Sequence, residues 1–304
     1  MRFAKIGLPV SLVLMVASLV LLFTVGLNEG IDFKGGTVIE VQSKAPTADL
    51  ADIRSKVDSL GLGAVEVQGF GTPNDVLLRV SAQSGAEGAQ EQAVQKIRSV
   101  LGADQYTFRR VEVVGPRVSG ELAYSGTMSV VLTIVGIMAY IWIRFEWQFA
   151  LGAVASLVHD VILTIGFFAV SRVEFNLTSI AAILTIVGYS LNDTVVVFDR
   201  VREVLRRYKS LSISEVIDQS TNQTLARTIL TSVTTLIALL ALFFFGGEVI
   251  RSFTAAMIFG VLIGTYSSIF IASPTLIFFH VRPKPDKPAT DKQASAKPKT
   301  GVPA

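Results

Sequence analysis

The chain has 304 residues, 51% of them hydrophobic and only 17% charged, and a mean hydropathy of +0.55, which is too apolar for a soluble fold of this length. A formal charge of +3 spread over loops and a tail gives no basic stripe for nucleic acid. With no cysteine there is no disulfide framework, thiolate site or cysteine nucleophile, and the two histidines, His159 and His280, lack a ligand-spaced partner for a metal.

Crossing a hydrocarbon core of about 30 Å takes roughly 20 helical residues. Six runs qualify, at 6–27, 122–143, 149–170, 176–198, 226–246 and 250–279. The first follows Arg2 and Lys5 as a signal sequence would, but its apolar part is long and no cleavage site follows, so it reads as an uncleaved anchor. Placing the N-terminus inside puts Arg2, Lys5, Arg144, the Arg200–Lys209 cluster and the lysine-rich tail on the cytoplasmic side, with both termini there.

Between the first two spans, residues 28–118 alternate as strand Thr37–Val41, helix Ala48–Leu60, strands Ala64–Gly69 and Asp75–Ser81, helix Glu87–Leu101 and strand Tyr106–Val114. This β-α-β-β-α-β order is that of a ferredoxin-like domain. Gly61-Leu62-Gly63 lacks the rest of a dinucleotide fingerprint and reads as a turn.

The cytoplasmic segment 199–223 carries Val201, Val204, Leu205 and Tyr208 at helical spacing opposite Arg202, Arg206 and Arg207, which predicts a helix lying along the membrane surface. A short second helix is signalled by Ser212-x-x-Glu215, the capping-box spacing. The expected domains are thus 1–27, 28–118, 119–280 and a disordered tail, 281–304.

Ionisable groups inside spans cost about 2.5–3.5 kcal/mol each on insertion scales and mark functional sites. Asp193 interrupts the fourth span, roughly 9 Å from the cytoplasmic boundary, and Arg227 opens the fifth within about 6 Å of the same boundary. Ser190, Asn192, Thr194, Thr228, Thr231 and Ser232 surround them in sequence with hydroxyls and amides. Two readings stay open: a proton-driven switch and a static ion pair that fixes helix packing. In the third span, His159 and Asp160 are neighbours about 100° apart on a helix, so they are not expected to face one site together. Asp160 is the second-rank candidate. Gly260-x-x-x-Gly264 and Gly152-x-x-x-Ser156 read as packing positions.

The segment Ile31-Asp32-Phe33-Lys34-Gly35-Gly36-Thr37 after the first span resembles the D-F-x-G-G signature of the SecD/SecF family of the bacterial Sec protein-export machinery. Glu174-Phe175-Asn176-Leu177-Thr178 and the stretch from Gly188-Tyr189-Ser190-Leu191-Asn192-Asp193-Thr194 to Glu203 resemble its SecF branch rather than SecD. So do Val114–Leu122, His159-Asp160 and Arg227–Ser232. The resemblance implies a six-helix half of a transporter of the resistance-nodulation-division (RND) type, with a periplasmic ferredoxin-like domain, in the bacterial inner membrane. It implies SecD as partner, the SecYEG translocon and YajC nearby, secreted polypeptide as substrate, and no covalent catalysis. The energy source would be the proton-motive force, without a cofactor, coupled at Asp193 and Arg227, with Asn192, Thr194 and Asp160 beside them. Two rivals are a half-size exporter of a small molecule or lipid, which predicts a lined cavity in the outer domain, and a scaffold that only stabilises the translocon. Gly35 and Gly36 suit a tight turn, and by extension a hinge, between membrane and domain.

Overall fold

The apolar runs form helices because a spanning segment must satisfy its backbone hydrogen bonds internally. The computed structural model describes residues 4–83, 88–247, 250–279 and 281. The spans are α1 (Ala4–Thr24), α5 (Pro116–Arg144), α6 (Trp147–Ser171), α7 (Leu177–Arg207), α8 (Ile213–Phe245) and a last span of α9 (Arg251–Ser267), a π-helical turn (Ser268–Ala272) and α10 (Ser273–Phe278). All six are long and apolar enough to cross a membrane. The predicted tail falls outside the described residues, apart from Val281.

A one-turn helix, α2 (Ile31–Lys34), leads from α1 into the extramembrane domain. There β1 (Gly36–Ser43), α3 (Leu50–Asp58), β2 (Val65–Phe70), β3 (Thr72–Ser81), α4 (Ala89–Leu101) and β4 (Tyr106–Val114) follow the predicted order. The sheet runs β2-β3-β1-β4 with every pair antiparallel, as the ferredoxin-like motif requires. Its core joins Ile39, Val41, Val76, Leu78 and Val80 of the strands to Ile53, Val57, Val94, Ile97 and Leu101 of the helices. From β4 the chain passes through Gly115 into α5, which begins at Pro116, six residues before the predicted span. Proline is preorganised for a first helical position, where its missing N–H is no loss.

The surface-lying helix expected within 199–223 is not formed. Helix α7 continues unbroken to Arg207, and the Ser212/Glu215 capping box opens α8 itself rather than a separate short helix. The apolar period at Val201, Val204 and Leu205 is real, but that face is buried against Phe145, Phe149, Val216 and Ile217. Periodicity reports an apolar face without saying whether lipid or protein covers it. Arg144 and Arg202 lie over the Phe145 ring, 5.0 and 5.2 Å from its centroid.

The glycine spacings mark close helix approach, as expected. A Cβ on Gly260 would stand 2.3 Å from Ile186, one on Gly264 3.1 Å from Ser190, and one on Gly152 3.1 Å from the Ala272 carbonyl oxygen. Helices α7 and α9 therefore pack nearly backbone to backbone beside the polar residues of the spans.

Candidate functional site

Asp160 on α6 is 0% exposed. Its Oδ2 accepts hydrogen bonds from Ser190 Oγ of α7 at 2.6 Å and Ser267 Oγ of α9 at 2.8 Å. Its Oδ1 lies 2.9 Å from His159 Nδ1. The expectation that His159 and Asp160 would not share a site is therefore corrected: the two side chains lean together along the helix surface and close the 100° between their Cα–Cβ bonds. Ser267 immediately precedes the π-helical turn, a local widening of the kind found at functional positions. One carboxyl thus ties three spans together.

Asp193 lies one turn beyond Ser190 on α7 and is 3% exposed. Its surroundings differ. Asp193 Oδ2 has no hydrogen-bond partner, and neither has the buried Oγ1 of Thr194 or of Thr228 on α8. The Arg227 charge acts on Asp193, yet Arg227 is itself exposed. Among the described residues no ion pair within 4.0 Å joins the two. The structure brings the predicted pair to electrostatic range without closing it.

The other motif residues of α7 divide by face. Tyr189 donates to Ser232 Oγ of α8 at 3.2 Å, and Ser232 Oγ is 2.6 Å from Thr265 Oγ1 of α9. Gly188 and Asn192, four residues apart, lie on the exposed face, away from both aspartates. Sequence reasoning named neither Ser267 nor Thr265. Their signal was available as Thr265-x-Ser267-Ser268, hydroxyls grouped in an otherwise apolar span, but hydroxyls alone cost too little in lipid to stand out.

At the opposite end of α7 sits the D-F-x-G-G segment. Asp32 Oδ2 accepts the Leu177 backbone N–H, the first amide of α7, at 2.8 Å. Phe33 stacks on Phe175 with centroids 5.4 Å apart. Gly35 and Gly36 have φ of 71° and 128°, in the region that favours glycine. A Cβ on Gly36 would meet the Val80 carbonyl oxygen at 2.4 Å, so the pair is needed for the turn into β1 beside β3. On β3, Arg79 is ion-paired to Glu174 of the loop before α7. Burial pushes the Glu174 carboxyl above the usual glutamate range, partly offset by Arg79 and reinforced by the charge of Asp32. Among the described residues no group of three or more His, Cys, Asp or Glu is arranged to hold a metal.

Comparison with known proteins places this arrangement. Residues 93–282 match the family described as "Protein export membrane protein SecD/SecF, C-terminal", and residues 20–47 match the "SecD/SecF GG Motif". The protein translocase subunit SecF of Rickettsia bellii (strain OSU 85-389) is 46% identical over 282 residues, 92% of this chain and 92% of that one. The protein translocase subunit SecDF of Brucella abortus biovar 1 is 45% identical over 284 residues, covering 93% of this chain and 37% of the relative. The crystal structure of SecDF from Thermus thermophilus, described as a translocon-associated membrane protein, superposes with a TM-score of 0.80 at 31% identity, over 92% of this chain and 38% of that one. The chain therefore matches SecF relatives along nearly their whole length and spans little more than a third of the SecDF ones. With six spans, an α+β domain between the first two and these motifs in register, the chain belongs to the SecD/SecF family of protein-export membrane proteins, as a SecF-type member.

Proposed function

We propose that this chain, with a SecD partner, uses the proton-motive force to promote export of polypeptides across the bacterial inner membrane, with Asp193 as the proton-responsive group and Arg227 as its counter-charge. The observation that carries the reading is Asp193 itself: a carboxyl 3% exposed inside a membrane helix, with one oxygen unpartnered and a guanidinium within electrostatic range. A protonated carboxyl is neutral and tolerates such a place, whereas an ionised one there draws in a cation. Gain and loss of a proton would then open and close the Asp193–Arg227 pair and shift α7 against α8. Thr194 and Thr228 have buried hydroxyls free to serve either state.

In this reading both termini are cytoplasmic and the ferredoxin-like domain is periplasmic, as the distribution of lysine and arginine favours. Association with SecD is supported by the Brucella abortus relative, in which a sequence like this one forms part of a longer SecDF chain. It is supported physically by Asn192 and Arg227, polar groups exposed on spanning helices, where a protein neighbour suits them better than lipid. SecYEG, YajC and the emerging polypeptide would be the further partners. The energy would come from the proton gradient alone, with no cofactor.

The test is export into inverted inner-membrane vesicles carrying Asp193→Asn. Export should proceed at the rate seen without a proton gradient and no longer respond to one. A response equal to that of the parent protein would overturn the reading.

A further inference from the structure

Proton coupling at Asp193 leaves one set of contacts unused, at the far end of the same helix. The chain between α1 and the domain is bound to the loop ahead of α7 in three chemically independent ways. Gly30 N–H donates to the Phe175 carbonyl and Phe175 N–H to the Asn28 carbonyl, both at 2.8 Å, so that Glu29 and Phe175 form a short parallel bridge. Phe175 is held between two rings, Phe33 at 5.4 Å and Phe168 of α6 at 5.1 Å. The Asp32 carboxylate receives the Leu177 amide. That amide is one that the α7 capping box, Asn176 with Ser179, does not reach, and a carboxylate at a helix N-terminus also meets the positive end of the helix dipole. A separate anchor joins β3 to the same loop through Arg79 and Glu174.

We propose that these contacts form a rigid strut that makes the extramembrane end of α7 and the first strand of the domain one mechanical body, with Asp32 as a positioning residue for the helix that carries Asp193. The proposal rests on the proton reading above for what drives the movement, but not for the strut itself. Its geometry is short and stiff at every step. The clasp ends at Gly35 and β1 begins at Gly36, with no flexible linker between them. From Leu177 to Asp193, α7 is a continuous helix, so a shift at Asp193 reaches the clasp about 24 Å away at 1.5 Å rise per residue. Two anchors on different strands, β1 through the clasp and β3 through Arg79, would pass a tilt of α7 to the sheet instead of to a hinge. The D-F-x-G-G segment then has a physical account residue by residue: a cap, a ring contact, an exposed Lys34, and two glycines for the turn.

Cross-linking provides the test. A Cβ on Gly30 would lie 3.2 Å from the Cβ of Asn176 and 2.5 Å from Glu174 Oε1, so the Glu174 side chain must swing aside before a disulfide with its typical Cβ separation of about 3.5–4.5 Å forms. The reduced variant is the control for that shift, and the chain has no cysteine of its own. The Gly30→Cys/Asn176→Cys variant, in the full chain assembled with SecD, is compared oxidised and reduced. Oxidation should leave gradient-stimulated export unchanged, because a strut has no need to open, and abolition of export by the cross-link would overturn the proposal. Asp32→Ala should lose gradient stimulation and exchange the Leu177 amide about tenfold faster, as local opening becomes easier. Asp32→Asn, which keeps an acceptor oxygen, should retain most of both. In an Asp32→Ala background the oxidised cross-link should restore export, and reductant should remove it again. Parent-like export and exchange in Asp32→Ala would also overturn the proposal. If that variant fails to assemble, the oxidised cross-link in the parent background decides alone. A failure of the proton reading appears separately, as gradient-dependent export in Asp193→Asn, while amide exchange at Leu177 reports on the strut whatever the energy source.

Discussion

Asp160 and Asp193 are both buried aspartates in neighbouring membrane helices, yet their surroundings are opposite in kind. Asp160 is surrounded by Ser190, Ser267 and His159, drawn from α6, α7 and α9, and both its oxygens are engaged. Asp193, one turn further along α7, has an oxygen without a partner and a counter-charge that stands off. A buried polar group fully partnered contributes to one defined packing, while an unpartnered one costs about 1–3 kcal/mol and is tolerated where function uses it. The difference separates a node that joins three helices from a site that, in the function proposed above, changes its protonation state.

The comparison can be broken or sharpened by experiment, and the largest effect is expected at Asp193. Its replacement by asparagine should reduce export to the gradient-independent rate without lowering the melting temperature, which detergent-solubilised protein can report. Asp160→Ala should do the reverse in emphasis: it strands two hydroxyls and an imidazole, and should destabilise the helix bundle by about 1–3 kcal/mol for each polar group left buried without a partner. If Asp160→Asn instead kept full stability and lost the gradient response, the two sites would have to exchange roles. Ser190→Ala and Ser267→Ala should each cost about 1 kcal/mol. Because both hydroxyls donate to the same Oδ2, the double variant should not be additive, and a double-mutant cycle in thermal unfolding measures the shortfall.

The smallest effect belongs to Glu174, outside the membrane. Its carboxyl is raised above its ordinary value of 4.5 chiefly by burial, with Arg79 opposing and Asp32, Glu112 and Glu66 adding to the rise. Folding therefore favours the protonated form. The contribution is present below about pH 4.5 and is lost as the pH rises through the raised value. Glu174→Gln removes the titration, and stability measured between pH 4.5 and neutrality should vary slightly less with pH than in the parent.

Much of the fold was legible because its signals are one-dimensional. Runs of apolar residues give spans, and alternation of helix and strand periods gives the βαββαβ order; β4 was placed at its observed ends, Tyr106 and Val114. The segment 199–223 failed for a definable reason: Val201 and Val204 show the same period whether they face lipid or Phe145. The candidate site was legible in its charges, since Asp160, Asp193 and Arg227 stand out against apolar spans. It was not legible in its hydroxyls, Ser267 and Thr265, nor in the His159–Asp160 contact, which depends on side-chain torsions.

The sequence by itself determined the number of spans, the domain between the first two, the family motif and the identity of the ionisable groups in the membrane. Each of these follows from local composition or from residues close together in the chain. The tertiary structure alone decided which aspartate is saturated and which is not, because the partners of Asp160 come from α7 and α9, 30 and 107 residues away. It also decided what Asp32 does, since the amide it caps lies 145 residues along the chain and meets it only when α1, α6 and α7 are packed.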